Sequence, residues 1–476
     1  MQCCLHQLAS ALFLVCVIKT SATVLYVDLN STHATPPYTN WITAATNIQD
    51  AVDAANSNDL ILVTNGVYST GGRLGRGPGL TNRVALYKAV TLQSINGPAE
   101  TVIKGYQVPG TTNGEGAVRC AYLTNGATII GFTLTNGATL GNTGEAKTTQ
   151  DGGGAYCESS LCVLSNCVLT GNAAYLWGGG VIDGTLRTCR LYGNSAGSGG
   201  GAYLAVLNNC ALFNNSAVTR GGGAVRGTLN NCTLAGNTAN EGGGIYGSSD
   251  GVLNNCIIYN NTATLGPNYS GTYNFRFSIN YCCSIPLATN GFGNITNEPL
   301  FVNLAAGAFQ LQSNSPCINA GNNAYVTSAT DLEGNPRIVG GTADIGAYEF
   351  QNPASVISYA WLQQYGLPTD SSGDCIDTDH DGMSNWQEWV AGTDPTNPLS
   401  LLKMSVPAQT NNPPGRTLTW QSVSGKTYFL QRSANFIPQA PFSCLQSNIA
   451  GLAGTTTFTD TTATNARAYF YRVGVQ

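Results

Sequence analysis

Charge is scarce in this sequence. Only 9% of its 476 residues are Asp, Glu, Lys or Arg, where about 25% is usual in a soluble domain. The 20 basic and 25 acidic residues leave a net charge of −5, so there is no basic face for nucleic acid or for an anionic membrane surface. Histidine is scarcer still, at His6, His33 and His380. His6 falls in a leader, and two remaining histidines give little scope for a histidine base or a histidine-rich metal site. Long apolar runs are absent beyond that leader, so no segment approaches the ~20 residues of a membrane span. Disorder is excluded as well, because 42% hydrophobic content at low net charge can bury a core.

Glycine, in contrast, is plentiful and periodic. There are 58 glycines, and triplets start at Gly152, Gly178, Gly199, Gly221 and Gly242, in steps of 26, 21, 22 and 21. Cys167, Cys189, Cys210, Cys232 and Cys256 keep the same pace. Five residues after each cysteine stands Asn172, Asn194, Asn215, Asn237 or Asn261. A period of ~22 with short β-type runs predicts a parallel β-helix whose coils stack about 4.8 Å apart. Leucine-rich repeats share the period, but their leucine spacing is missing here.

Stacking turns these residues into columns. Each cysteine alternates with Leu169, Leu191, Leu212, Leu234 or Ile258 two positions on, which is the pattern of an inward face. The column cysteines are expected to be buried thiols acting as small hydrophobes. A stack spacing of about 4.8 Å is long for the Cβ separation of a disulfide, about 3.5–4.5 Å. The asparagines are expected at a turn, with side-chain amides bonded to the coils above and below. The triplets supply tight turns. They lack the Lys-Ser/Thr sequel and strand–loop–helix setting of a phosphate loop. Cys157, Cys162, Cys282, Cys283 and Cys317 fall outside the column and include candidates for a disulfide.

Residues 1–22 read as a secretory signal, with an apolar run from Leu8 to Ile18 and small residues Thr20 and Ala22 before the cut. No Lys or Arg precedes the run. Thr46 and Gln49 have capping-box spacing. They open a short helix whose apolar face, Ile48, Ala51, Val52 and Ala55, is expected to cover the first coil and its open edge. Residues 60–68 read as the first strand. Phe132 takes the place of the column cysteine, and residues 138–150 look inserted.

These residues carry a resemblance. "GGGAY" and "NC.L.GN" are similar to the repeats of right-handed β-helices of the pectin-lyase-like superfamily, and to the GGAI and FxxN repeats of chlamydial-type polymorphic outer membrane proteins. "SPCINAG" and "DLEGNPRIVGGTADIGAYEF" (residues 331–350) resemble the ending of secreted bacterial β-helix proteins of the choice-of-anchor Q type. The resemblance spans about residues 24–350. It implies the fold and says little of activity, because that fold hosts lyases, hydrolases and adhesins.

Residues 351–400 differ in composition. A short helix is expected in "ASVISYAWLQQYGL". In "DTDHDGMSNWQEWV", Asp377, Asp379 and Asp381 stand at loop positions 1, 3 and 5, Gly382 at 6, Met383 at 7 to offer its carbonyl, Asn385 at 9 and Glu388 at 12. This is EF-hand spacing, and it suits Ca2+, a hard cation that takes six to eight oxygens. Ser384 stands where a large aliphatic is usual. The loop resembles those of thrombospondin type 3 and dockerin-like segments, which implies a structural ion in a linker. Asp370 and Asp374 are candidates for a second ion.

Residues 401–476 alternate apolar and polar positions, as in a small antiparallel β-sandwich of immunoglobulin or fibronectin type III kind. Trp420, Tyr428, Tyr469 and Tyr471 are its expected core or a sugar-binding surface.

The sequence therefore reads as all-β: a signal peptide (1–22), a right-handed parallel β-helix with an N-terminal capping helix (23–350), a helical calcium-binding linker (351–400) and a sandwich (401–476). No catalytic set is legible. Arg220 and Glu241 are expected to stack as an exposed ion pair, and Asp183 with Arg226 is the weakest catalytic candidate. Tyr156, Ile182, Tyr203, Val225 and Tyr246 form a further column. If it faces outward, Tyr156, Tyr203 and Tyr246 are candidates for stacking on sugar rings; if not, the column is packing. The leading reading is a secreted or cell-surface, non-catalytic protein that binds polysaccharide or another surface glycan and carries structural Ca2+. The alternatives are a polysaccharide lyase or glycoside hydrolase of the pectin-lyase-like fold, and a plain spacer.

Overall fold

The computed structural model of the chain describes residues 22–476, except 75–78, 143–146, 248–250, 272–277, 412–413, 436–441 and 465–467. The expected signal at 1–22 thus lies almost wholly outside the described residues.

Three long sheets run along one body. The first has ten strands, from Val24–Val27 to Ser278–Asn280. The second has nine, from Gly66–Tyr68 to Cys283–Ser284. The third also has nine and ends at Tyr269–Gly271. Neighbouring strands are parallel throughout, except Arg73–Leu74 against Thr81–Leu86 at one edge. Each sheet takes one strand per coil, which is the geometry of a parallel β-helix. A fourth, shorter sheet joins Ser195–Ser198, Ser216–Arg220, Thr238–Glu241 and Thr262–Leu265.

The register places like on like. Leu169, Leu191, Leu212, Leu234 and Ile258 are successive partners in the second sheet. The column cysteines are fully buried beside them and are free thiols. Each points at the carbonyl two residues earlier, as Cys189 does to Arg187 at 3.2 Å and Cys210 to Asn208 at 3.3 Å. Cys282 is a further member rather than an outlier, because the Cys256 N–H bonds its sulfur at 3.3 Å. The longer last coil hides this continuity in the spacing.

The asparagine column is a ladder. Nδ2 of Asn194 donates to Oδ1 of Asn215 at 3.0 Å and to the Leu169 carbonyl at 2.8 Å, while its backbone N–H also reaches Asn215 Oδ1. Asn172, Asn215, Asn237 and Asn261 repeat the scheme. The last rung is Asn268, from Gly266–Pro267–Asn268, which occupies a triplet's place. Left-handed residues bracket each second-sheet strand: Asn209, Asn231 and Asn255 just before the cysteine, and Gly193, Asn214 and Asn260 just before the ladder. That backbone conformation is why Asn and Gly recur there. In the triplets the first glycine is left-handed, and the second is pressed on the next coil. A Cβ on Gly179 would lie 2.3 Å from the Ser195 carbonyl oxygen.

Helix α1 (Ile48–Ala54) buries Ile48, Ala51 and Val52 against the first coil. Its cap falls one residue later than expected, at Asn47, whose side chain accepts from Asp50 N–H. Gln49 is buried instead and pairs with the backbone of Ala85, which seals the edge of the third sheet. The expected first strand is really two, Leu60–Val63 and Gly66–Tyr68, in different sheets. Gly66, at φ +143, makes the turn between them. The true first strand, Val24–Val27, lies upstream.

Residues 296–362 form a strap over the outside of the second sheet, where Ala211, Ala235, Ile257 and Cys283 meet Phe309, Cys317, Ile345 and Tyr359. Its hub is Arg337, 1% exposed. One guanidinium nitrogen donates to Asn231 Oδ1, the Asp344 carbonyl and the Gly346 carbonyl, and another lies 3.4 Å from Glu349. Asn209, Asn231 and Asn255 grip the strap backbone at Thr330, Tyr325 and Asn322.

Helices α2 (Tyr359–Gln364) and α3 (Asn385–Ala391) follow. Two three-stranded antiparallel sheets complete the chain. They pack Leu418 and Trp420 of one against Tyr428 and Leu430 of the other. Tyr469 is not in that core but beneath Arg432, 4.6 Å from its ring centre. Lys426 joins this part to the linker by capping α3 at the Val390 carbonyl, 2.7 Å away.

Candidate functional site

The acidic loop closes around its own carboxylates. Asp377, Asp379 and Asp381 each bring a carboxylate oxygen within 4.8 Å of the others. Backbone N–H groups of Asp381 and Gly382 hold Asp377, and that of Met383 holds Asp381. Gly382 is left-handed, which aims the loop inward. Helix α3 then presents Glu388, fully buried. Its carboxyl is pushed up to about 7 by burial and by the nearby charges of Asp379 and Asp381. Burial also raises Asp379.

Three oxygens decide what this loop can do. Asp379 Oδ2, Asp381 Oδ2 and Glu388 Oε2 are buried and have no hydrogen-bond partner. Orphaned carboxylate oxygens are costly unless something positive meets them. A hard, oxygen-seeking divalent cation fits this donor set.

The remaining residues of the expected set are placed differently. Asn385 does not present its amide to the loop's centre, because Nδ2 donates to the Gly373 carbonyl at 2.7 Å and Oδ1 accepts from Thr378 at 2.9 Å. It braces the loop's wall. The sulfur of Met383 accepts from Leu402 N–H. Ser384 stands in the aliphatic position because it caps α3, in a reciprocal box with Gln387. Asp374 is bound through both oxygens to Ser355 and does not join Asp370 in a cluster.

The second candidate is the third sheet's outer face. Ala155, Val181, Ala202, Ala224 and Ile245 point into the core, so Tyr156, Ile182, Tyr203, Val225 and Tyr246 point out, in continuous register. The stripe is roofed, however. Arg220 lies 4.8 Å over Tyr246, which is only 3% exposed. Tyr246 therefore offers no ring to a ligand, because the turn before each triplet folds back over the sheet. Trp177 stacks on Tyr203, with centroids 5.0 Å apart and planes 6° apart. Tyr156 stacks on Tyr122 at 5.5 Å, under the guanidinium of Arg119.

Arg119 was not legible beforehand. It is 1% exposed and donates to Asn82 and to the carbonyls of Thr148, Asp151 and Gly152. Burial lowers it to about 10. Asn82 lies 37 residues back and the other partners 29 to 33 residues on, and a lone Arg in "VRCAYL" carries no signal of them. Arg220 and Glu241 do pair across the fourth sheet at 3.4 Å. Asp183 and Arg226 both follow third-sheet strands, but the coil of Leu204 lies between them. Their backbones are thus two coils, roughly 10 Å, apart.

No protein-family model matches the chain, and no curated protein matches it. Among solved structures it is similar to pectate lyase Pel9A, with 15% identity over 70% of this chain and 97% of that one and a TM-score of 0.38. It is similar also to pectin methylesterase PemA from Erwinia chrysanthemi, at 12% identity over 58% and 94%, TM-score 0.34. The A-module of mannuronan C-5 epimerase AlgE4 from Azotobacter vinelandii matches at 14% over 50% and 68%, TM-score 0.27. Scores this low carry no argument about activity, and the β-helix stands on its strand pairings. No helix among the described residues is long and apolar enough to cross a membrane.

Proposed function

We propose that this chain is a secreted or surface-held, non-catalytic β-helix that binds polysaccharide or a glycan-coated surface and holds a structural Ca2+ in its linker. Its coils wind right-handed, as parallel crossovers nearly always do. The strap's likeness to choice-of-anchor Q endings fits a protein displayed outside the cell. The observation that carries the reading is the set of unpartnered carboxylate oxygens on Asp379, Asp381 and Glu388. Asp377, the Met383 carbonyl and Glu388 complete the proposed ligand set. A single loop of this kind suits the high calcium levels outside cells and the ordering of a linker rather than sensing.

The glycan part rests on the third sheet, where Trp177 on Tyr203, together with half-buried Tyr156, supplies flat apolar rings beside polar groups. Such rings stack on the C–H faces of sugars. Affinity electrophoresis through gels cast with neutral and anionic polysaccharides tests this. Retardation that weakens in Trp177→Ala and Tyr203→Ala supports the reading, and migration unchanged in every gel overturns it.

A further inference from the structure

A further cleft lies elsewhere. It opens between the end of the β-helix, helices α2 and α3, and the terminal sheets, with a volume of 740 Å³. Tyr281, Trp361 and Trp389 line it, with the amides of Asn297 and Gln364. Both Trp rings pack on the strap core and stay partly exposed at the cleft. Among the described residues the side-chain amides of Asn297 and Gln364 have no partner, while that of Gln363 is already spent on the Asn314 carbonyl. Lys426 is the one charged residue in the lining. Its ammonium is committed to the carbonyls of Trp389 and Val390.

Rings and free amides without free charge are the chemistry that recognises a neutral sugar. Indoles stack on its apolar faces, and an amide donates and accepts at once toward vicinal hydroxyls. A uronate would need a cation turned toward it, and the ammonium of Lys426 is turned instead to the carbonyls of Trp389 and Val390. The volume falls in the range of small-ligand sites and suits a short oligosaccharide. We infer that this junction cleft is a binding site for neutral oligosaccharide, separate from the third-sheet face. It deepens the proposed glycan reading and depends on it only for the class of ligand.

The test is calorimetric titration of the full chain, with calcium present, by cellotetraose, mannotetraose and xylotetraose, with tetragalacturonate as the charged comparison. At least one neutral tetrasaccharide is expected to bind with a change in tryptophan fluorescence. Trp361→Ala should weaken it about tenfold. Asn297→Ala and Gln364→Ala, at exposed positions where folding is not at risk, should each weaken it several-fold, and Val218→Ala, at an exposed position on the fourth sheet outside the cleft, should leave it unchanged. The inference falls if no neutral tetrasaccharide binds, if binding survives all three cleft variants, or if tetragalacturonate binds as tightly. Binding sensitive to Tyr203→Ala alone would end the cleft and leave the third-sheet reading standing.

Discussion

Asn237 shows how much one amide can hold. It donates to Asn261 and to the Leu212 carbonyl, and its Oδ1 accepts both the backbone and side-chain N–H of Asn215. Asn237→Ala strands all of these in a dry interior and should lower stability by about 2–4 kcal/mol, read as a shift in the urea midpoint. Exposed Asn240→Ala, three residues on, should cost less than about 0.5 kcal/mol. The thiol column makes a separate prediction. In the native protein Cys375 and Cys444 are exposed, and they should react with a thiol reagent in seconds, while the column cysteines should wait for denaturant. The ladder was legible because Asn keeps a fixed distance from Cys. Asn268 was not, because it fills a glycine's slot, and Arg119 was not, because three of its four partners are backbone carbonyls.

The acidic loop and α3 behave as one element. Calorimetry should show calcium binding that is abolished in Asp377→Ala and weakened at least tenfold in Glu388→Gln. Without calcium, the sign of the pH effect follows from Glu388. Its folded value, about 7, lies above its ordinary 4.5, so protonation favours the folded loop. That stabilisation is complete below pH 4.5 and is lost as pH rises through 7. Calcium should reverse the trend, because it binds the ionised carboxylates, so the gain in Tm on adding calcium should grow from pH 5 to pH 8. The Asp spacing announced this element. The partners of the Asn385 amide, Gly373 and Thr378, are set by the fold of the preceding turn, which no spacing encodes. α1 was legible in its apolar face and off by one residue in its cap, where Asn47 competes with Thr46 for the same role.

At the scale of the molecule, a stack of coils is held from outside by the strap. Arg337→Ala would take away the cation beside buried Glu349 and the donor to Asn231 and to the carbonyls of Asp344 and Gly346, and should cost about 3–5 kcal/mol, with new protease cuts within residues 322–345 as the readout. The stack was legible from its period. The strap was legible only as a resemblance, because Asn209, Asn231 and Asn255 serve the coil's turns and the strap at once. The central claim is that this scaffold binds polysaccharide and does not process it. Incubating the full chain with a panel of plant and bacterial polysaccharides, scoring retention and new reducing or unsaturated ends together, tests it most directly. Retention on at least one polymer with no new ends is the predicted result. New ends appearing in proportion to protein added would contradict it.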